Sequence, residues 1–568
     1  MDTRRLILFV IFSFSIMMLW DAWQHKDAPA MTQTATTQSA QISTEPTNTS
    51  VVHETTSAEN GQFSLVHGQR IQVSTDLYEA EIDTNGGDLR RLVLNKHLAA
   101  NAKEGNFVLM DDSTNKMTYV AQTGLLDKSL PEGSLPDHHS VFTSTAPSYT
   151  MAEGAQSQEV RLSWAGSKGI TVDKIYTFHR GSYVIDVSYQ INNGSASAIA
   201  PSVYYQIVHD NQSNQGSKMM PTYTGGAYYS SVDNKMIKYK FTDMVKENLS
   251  ETRKDGWIGL VQHYFVSAWI PKAGISNEFY TKQLLDNLFA VGVINQIGNI
   301  AAGAKTEVTA KLFAGPQTKE DLNAAATGLE YTADYGPLTP IAKPLFWLLA
   351  KIHGFVGNWG VAIILLTLLI KAAFFRLSAA SYRSMAQMRE LAPRLQSMKE
   401  KFGEDKQKLQ QAMMEMYKTE KINPLAGCLP ILMQMPVFIA LYWMLSAVVE
   451  MRHAPFFAWI QDLSAPDTFF GSIPAAVPLL GGMPIGLLPL LMGATMVIQT
   501  RLNPAPTDPV QAQVMKIMPI VFSIFFFFFP AGLVLYWLVN NILSIAQQWY
   551  INKMIHAEAL AKKSGAKR

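Results

Sequence analysis

Hydrophobic and polar positions along this 568-residue chain change their rhythm several times. The opening stretch, "MDTRRLILFVIFSFSIMMLWDAWQ", sets Arg4 and Arg5 before an apolar run from Leu6 to Trp20. That order predicts a signal-anchor transmembrane helix over 1–24 with a cytoplasmic N-terminus. Residues 25–60 are Thr/Ser/Gln-rich and cannot bury enough apolar surface to offset chain entropy, so they read as a flexible polar linker. From 61 to 335 the period becomes two. "RIQVSTDLYEAEI", "VRLSWAG", "YVIDVSYQI" and "KTEVTAKLF" alternate or are rich in β-branched and aromatic residues, with turn signals such as Asn85-Gly86-Gly87 and Asn192-Asn193-Gly194 between them. This predicts a large antiparallel β-sandwich, external to the cytoplasm because the anchor points outward.

Residues 336–358 group their apolar positions on one side, with Lys343, Lys351 and His353 among them, and predict an amphipathic helix lying in the membrane interface. Long apolar segments then follow at 359–376, 425–449, 485–500, 516–530 and 532–551. With the anchor they make six spans, most near the ~20 residues a bilayer requires. Between the first two, residues 377–421 are strongly helical in propensity, carry Met and Leu at three- and four-residue spacing and have Gly403 past the middle, predicting a helical hairpin. The chain closes with a basic tail, 552–568.

Charge supports one topology. Residues 376–421 hold ten Lys/Arg against six Asp/Glu, and Arg501, Lys516 and the tail add positive charge, whereas the loop at 451–475 offers only Arg452. Six spans with both termini in the cytoplasm place every basic loop inside. The overall balance of +2 is uninformative beside this segregation. A single cysteine, Cys428, excludes an internal disulfide and a multi-cysteine zinc site and reads as a small buried residue. No Walker loop or Rossmann fingerprint is present, so no nucleotide or other cofactor is expected.

The residue that demands an explanation is Lys371, inside "IILLTLLIKAAFF" (363–375). An ammonium at mid-span costs roughly 2.5–3.5 kcal/mol on insertion scales. Two readings stay open. Lys371 snorkels toward headgroups with Arg376, or it faces a water-containing cavity in the bundle, with Thr367 on the same helical face. Later segments contribute Gln434, Gln499, Asn540, Asn541, Gln547 and Gln548, for most of which interhelical packing is the ordinary role. The phenylalanine run before Pro530 reads as lipid-facing or packed core, and the β-region histidines are scattered without metal spacing. The basic hairpin and tail are either topology signals or docking surfaces for polyanions such as ribosomal RNA.

"INPLAGCLPILMQMPVFIALYW" and "IMPIVFSIFFFFFPAGLVLYWLVNNILSIAQQ" resemble the YidC/oxidase-assembly/thylakoid insertase family in its Gram-negative form, and the resemblance runs essentially end to end. It implies an inner-membrane insertase and chaperone with a five-helix core, an external supersandwich domain like that of sugar mutarotases, and a hydrophilic groove carrying one positive charge. Lys371 falls where the family typically has arginine, Thr367 matches the groove threonine, and Gln434 joins them. Pro430, Phe438, Tyr536 and Trp537 match positions near the substrate contact. Implied partners are nascent membrane proteins, the Sec translocon, the ribosome through the basic hairpin and tail, and membrane lipids. A transporter would instead carry several intramembrane charges and an internal repeat. An anchored carbohydrate enzyme would place a His/carboxylate pair within ~3 Å in a cleft of the β-domain.

Overall fold

The computed structural model describes residues 65–99, 105–114, 117–212, 222–402, 405–420, 429–474, 477, 481–503 and 509–565. The expected anchor (1–24), the linker (25–60) and Cys428 lie outside them. The chain divides into two compact units between Ala333 and Asp334.

The first unit is a β-sandwich of a ten-stranded and a nine-stranded sheet. Its pairings are antiparallel except that Ser148–Thr150 lies parallel to Arg70–Ser74 at one edge. The period-two segments become half-buried strands: Val184–Asn193 alternates strictly between buried and partly exposed residues. Trp257–Gln262 is buried along its whole length and so reads as a continuous apolar run. Rings from the two sheets meet in between, as at Tyr205 and Trp269, 5.0 Å apart, and at Tyr228 and Phe279, also 5.0 Å. Two short helices, α1 (Phe241–Lys246) and α2 (Lys319–Ala325), interrupt a region in which almost no helical period was expected. Each is too short to show a period; α2 starts because the Thr318 hydroxyl accepts the Asp321 N–H.

Charge also runs through this sandwich. Arg70 pairs with Asp83 (3.2 Å) and Asp112 (2.8 Å), and Arg90 with Asp88 (3.2 Å) and Asp112 (3.6 Å). Lys174, on the nine-stranded sheet, reaches across to Asp88 (3.6 Å) and donates to the Gly86 carbonyl (3.0 Å), with the rings of Phe142, Tyr176 and Tyr189 around its ammonium. Burial pushes the Asp88 carboxyl up and the Lys174 ammonium down, to about 8, each resisted by the other's charge. Among the described residues no cluster of His, Cys, Asp or Glu suits a metal ion.

The second unit is helical. α3 (Thr339–Val356) buries Ala342 and Leu349 on one face and leaves Trp347 and Phe355 exposed on another. It ends at Gly357, whose φ of +66° lets its N–H close on the His353 carbonyl. The Asn358 side chain accepts the Val361 N–H and starts α4 (Trp359–Ala373). α4 meets α5 (Phe375–Glu390) at a 67° bend. Then come α6 (Ala392–Phe402), α7 (Lys406–Thr419), α8 (Leu429–Ala447), α9 (Leu487–Leu502), α10 (Pro509–Phe526) and α11 (Ala531–Gly565). Arg394 in α6 pairs with Glu420 just past α7 at 2.7 Å, which brings the start of one helix to the end of the other. α11 joins two apolar cores: Leu533 and Tyr536 pack with α3, α4 and α8, and Val534, Leu535 and Leu538 pack with α9 and Phe526.

Helix bounds depart from the apolar segments that predicted them: α4 stops short of residue 376, whereas α10 begins before 516 and α11 runs past 551. Among the described residues no single helix is both long and apolar enough to cross a membrane, although α4 and α5 qualify as a bent pair. At 15 residues α4 rises about 22 Å, short of the ~30 Å of hydrocarbon. α11 has the length, but Asn540, Asn541, Ser544, Gln547 and Gln548 interrupt its apolar half. The phenylalanine run splits: Phe526 and Phe527 are buried, while Phe525 and Phe529 are only partly covered, their rings 4.7 Å apart.

Two predictions follow from the sandwich. Lys174→Met removes one of the two cations beside buried Asp88, leaving Arg90 to hold it, and lowers unfolding stability by about 1–3 kcal/mol, read by urea titration of the intact protein. The second concerns His209, which is fully buried against Tyr119 and Phe241, with burial lowering its pKa from 6.5 to about 4. Between those two values the unfolded chain holds the extra proton, so stability is lost as the pH is lowered and regained as it is raised, at roughly 1–2 kcal/mol per pH unit. Unfolding midpoints measured across that window have a shallower slope for His209→Gln than for the parent.

Candidate functional site

The site is built around the middle of α11, residues 540–548. Positions 540, 541, 544, 547 and 548 follow the i, i+4, i+8 spacing that normally carries an apolar stripe, and here every one is polar. Asn540, Asn541, Ser544 and Gln548 are nevertheless buried. Each finds a partner on a different element. Asn541 donates to the Thr495 hydroxyl of α9 (3.2 Å), Gln548 to the Leu502 carbonyl (3.3 Å), and Gln547 to the Phe375 carbonyl of α5 (3.2 Å). Asn540 accepts from the Gln434 side chain of α8.

Lys371, in the last turn of α4, enters this stripe from the opposite side. Its Nζ donates to Ser544 Oγ at 2.7 Å, and that hydroxyl in turn donates to the Asn540 backbone carbonyl, also at 2.7 Å. In this contact the Lys371 side chain points into the bundle and meets neutral oxygen. Among the described residues no carboxylate pairs with it. Lys371 and Gln434 line one cavity, together with Ser378, Phe374 and Val437. Its volume is about 20 Å³, room for a single water molecule.

The remaining expected positions scatter. Thr367 is buried one turn before Lys371 but does not line that cavity; its hydroxyl donates back to the Ile363 carbonyl at 2.7 Å, satisfying itself within α4. Phe438 and Trp537 meet edge to face, 4.5 Å between centroids, and Phe526 completes a small aromatic group with Trp537. Tyr536 is buried in the core shared with α3, α4 and α8, against which Phe438 also packs. Pro430 stands in the first turn of α8, where a missing N–H costs nothing; its side chain lies outside the described residues. Ser544 and Ser378 escaped the sequence reading because serine is unremarkable singly; the Asn540–Ser544–Gln548 spacing was the available signal.

Among the described residues of the β-unit one His/carboxylate pair has acid–base spacing. His179 lies 2.8 Å from Asp186, the spacing an acid–base pair needs, but the two residues sit on neighbouring strands with both side chains partly exposed and line neither cavity described in this unit.

Two family models together match most of the chain: that of the YidC periplasmic domain over residues 70–348, and that of the 60Kd inner membrane protein over 351–558. A membrane protein insertase YidC of Methylobacillus flagellatus is 59% identical over 100% of both chains, and that of Nitrosospira multiformis 46% identical over 98% of both. The chain belongs to the YidC membrane protein insertase family. A solved structure of an active YidC insertase aligns with 86% of this chain and 93% of its own, at 17% identity and a TM-score of 0.40, a level that carries no argument. The YidC family match assigns the β-sandwich as the periplasmic domain and the helical unit as the inner-membrane part, as the resemblance in the two quoted motifs implied.

Removing the Ser544 hydroxyl isolates the place where Lys371 meets neutral oxygen. Ser544→Ala leaves the ammonium without its acceptor and lowers thermal stability in detergent by an amount worth about 1–3 kcal/mol. Ser544→Thr restores most of the loss, as differential scanning fluorimetry of the two variants shows.

Proposed function

We propose that this protein inserts integral membrane proteins into the bacterial inner membrane and assists their folding, by drawing polar flanking segments into the polar interior around Lys371. The observation that carries the reading is the hydrogen bond from Lys371 to the buried polar stripe of α11. An apolar helix gains free energy once it is in lipid; the barrier is carrying its polar flank across ~30 Å of hydrocarbon. An interior lined by Ser544, Asn540 and Gln434 substitutes for water along part of that path. An ammonium held by neutral oxygens keeps its full charge available for an acidic flank. Such a flank is attracted while it is inside and lost to water once it has crossed.

The helices support the same reading. α4 and α9 are 15 and 16 residues long, and short spans thin the bilayer around them, which lowers the barrier further. The incoming apolar helix leaves past Phe438 and Trp537, which offer rotationally tolerant aromatic surface between α8 and α11. Nothing in this scheme consumes a nucleotide. On this reading both termini and the α6–α7 hairpin are cytoplasmic, the basic hairpin and tail dock the ribosome, membrane lipids surround the helical unit, and the protein works alone or with the Sec translocon.

The test uses cells depleted of their own insertase and a short single-span reporter with an acidic flank, complemented with the parent, Lys371→Arg or Lys371→Ala. Lysine and arginine support insertion; alanine reduces it at least about tenfold, since one charge–charge interaction at intermediate dielectric is worth a few kcal/mol. Equal insertion by the alanine variant removes charge from the mechanism.

A further inference from the structure

The strand Lys305–Pro316 of the nine-stranded sheet is paired along nearly its whole length on one side, from Val184↔Phe313 to Asn192↔Lys305. On its other side the strand Phe265–Ile270 accompanies it only as far as Ile270↔Lys311. The reason is local. Pro271 follows, with no N–H to donate and a fixed φ, and the chain turns away through Gly274, whose φ is +86° and whose N–H bonds the Lys254 carbonyl at 2.8 Å. The longer strand runs on alone.

Its backbone direction there can be deduced. The Ala314 N–H donates to the Tyr183 carbonyl (3.0 Å) and the Ala304 carbonyl accepts from Asn193 (2.9 Å), so even-numbered residues face the partnered side. Alternation turns the N–H and C=O of Glu307 and Thr309 toward the side that Phe265–Ile270 has vacated. A cavity of about 900 Å³ lies along this edge, lined by residues 306–311 and walled by Trp257, Ile270, Ile297 and Ala325. Trp257 is fully buried, and its indole N–H finds no acceptor among the described residues.

Open edges are ordinarily blunted by charge. Here the charged side chains, Lys305, Glu307 and Lys311, are the exposed ones, while Val308 and Ala310 turn inward to the apolar wall. The edge is therefore guarded on its outer face and open along its hydrogen-bonding direction. A strand is the shape that satisfies a row of alternating backbone donors and acceptors above an apolar floor.

We propose that this edge of the periplasmic domain takes up an extended segment of another polypeptide as an added strand, in the line that Pro271 leaves empty. The segment spans about six residues, or ~20 Å. It is apolar at alternate positions, which face Val308, Ala310 and Ile297, and polar between them. One of its carbonyls accepts the Trp257 indole N–H. This goes beyond the insertion reading and does not rest on it.

The test is fluorescence anisotropy with the full-length protein in detergent. The probe is a fluorescein-labelled peptide of about eight alternating valines and threonines with a terminal lysine at each end. Saturable binding is expected, abolished by N-methylating one alternate set of peptide bonds and little changed by methylating the other. Glu307→Pro removes a backbone donor on the open side without touching the pairing to Val184–Asn193, and it weakens binding at least about tenfold. Trp257→Phe, which keeps the ring, weakens it less. Should the proline variant fail to fold, the two methylated peptides decide the matter on the unaltered protein. The proposal is overturned by equal loss with both methylated sets, or by unchanged affinity in Glu307→Pro. It is also overturned if the peptide fails to bind while sedimentation shows the parent dimerising through this edge and Glu307→Pro monomeric.

Discussion

A charge taken out of water must be given back what water supplied, and both units of this protein are organised by that requirement. Each contains a buried or half-buried lysine, and the two solutions differ. Lys174 has a carboxylate, a carbonyl and three aromatic faces around it, so its charge is spent inside the sandwich. Lys371 has a serine hydroxyl, backed by an asparagine carbonyl, and no carboxylate partner among the described residues. The first arrangement fixes a fold by locking two sheets together. The second leaves a cation at the end of a polar stripe with no carboxylate beside it among the described residues.

That difference explains the construction of α11. A helix meant only to cross or pack would carry leucine at 540, 544 and 548. Polar side chains there lower its apolarity and call for hydrogen-bond partners on α4, α5, α8 and α9. The hydrogen bonds from Gln434, Asn541, Gln547 and Gln548 are those partners. The stripe is stable because four neighbouring elements converge on it. Asp467 does similar service at the loop before α9, where its carboxylate accepts the Leu488 and Phe469 N–H groups and the Trp459 indole.

Much of this was legible from residue order. The alternation of "YVIDVSYQI" became the alternating strand Val184–Asn193, and Lys371 stood out because one cation among apolar neighbours is visible without coordinates. Helix ends were less legible. The segment expected over 359–376 stops at Ala373, because hydropathy does not record the 67° bend that Phe374 introduces. Thr367 shares a helical face with Lys371, yet its hydroxyl turns back to Ile363. Periodicity gives the face a residue occupies and says nothing of the rotamer it adopts.

By itself, then, the sequence determined periods, charge segregation and the identity of the odd residue, since each is a property of neighbours within a turn or a strand. Only the tertiary structure decided what faces what. Lys371 and Ser544 are 173 positions apart, and Lys174 and Gly86 are 88. Residues at such separations meet through the packing of whole elements. The open edge at Glu307 and Thr309 exists because a proline on a different strand ends that strand early. Those pairings are set by the burial of the apolar faces around them, a sum over the whole unit that no local stretch of sequence contains.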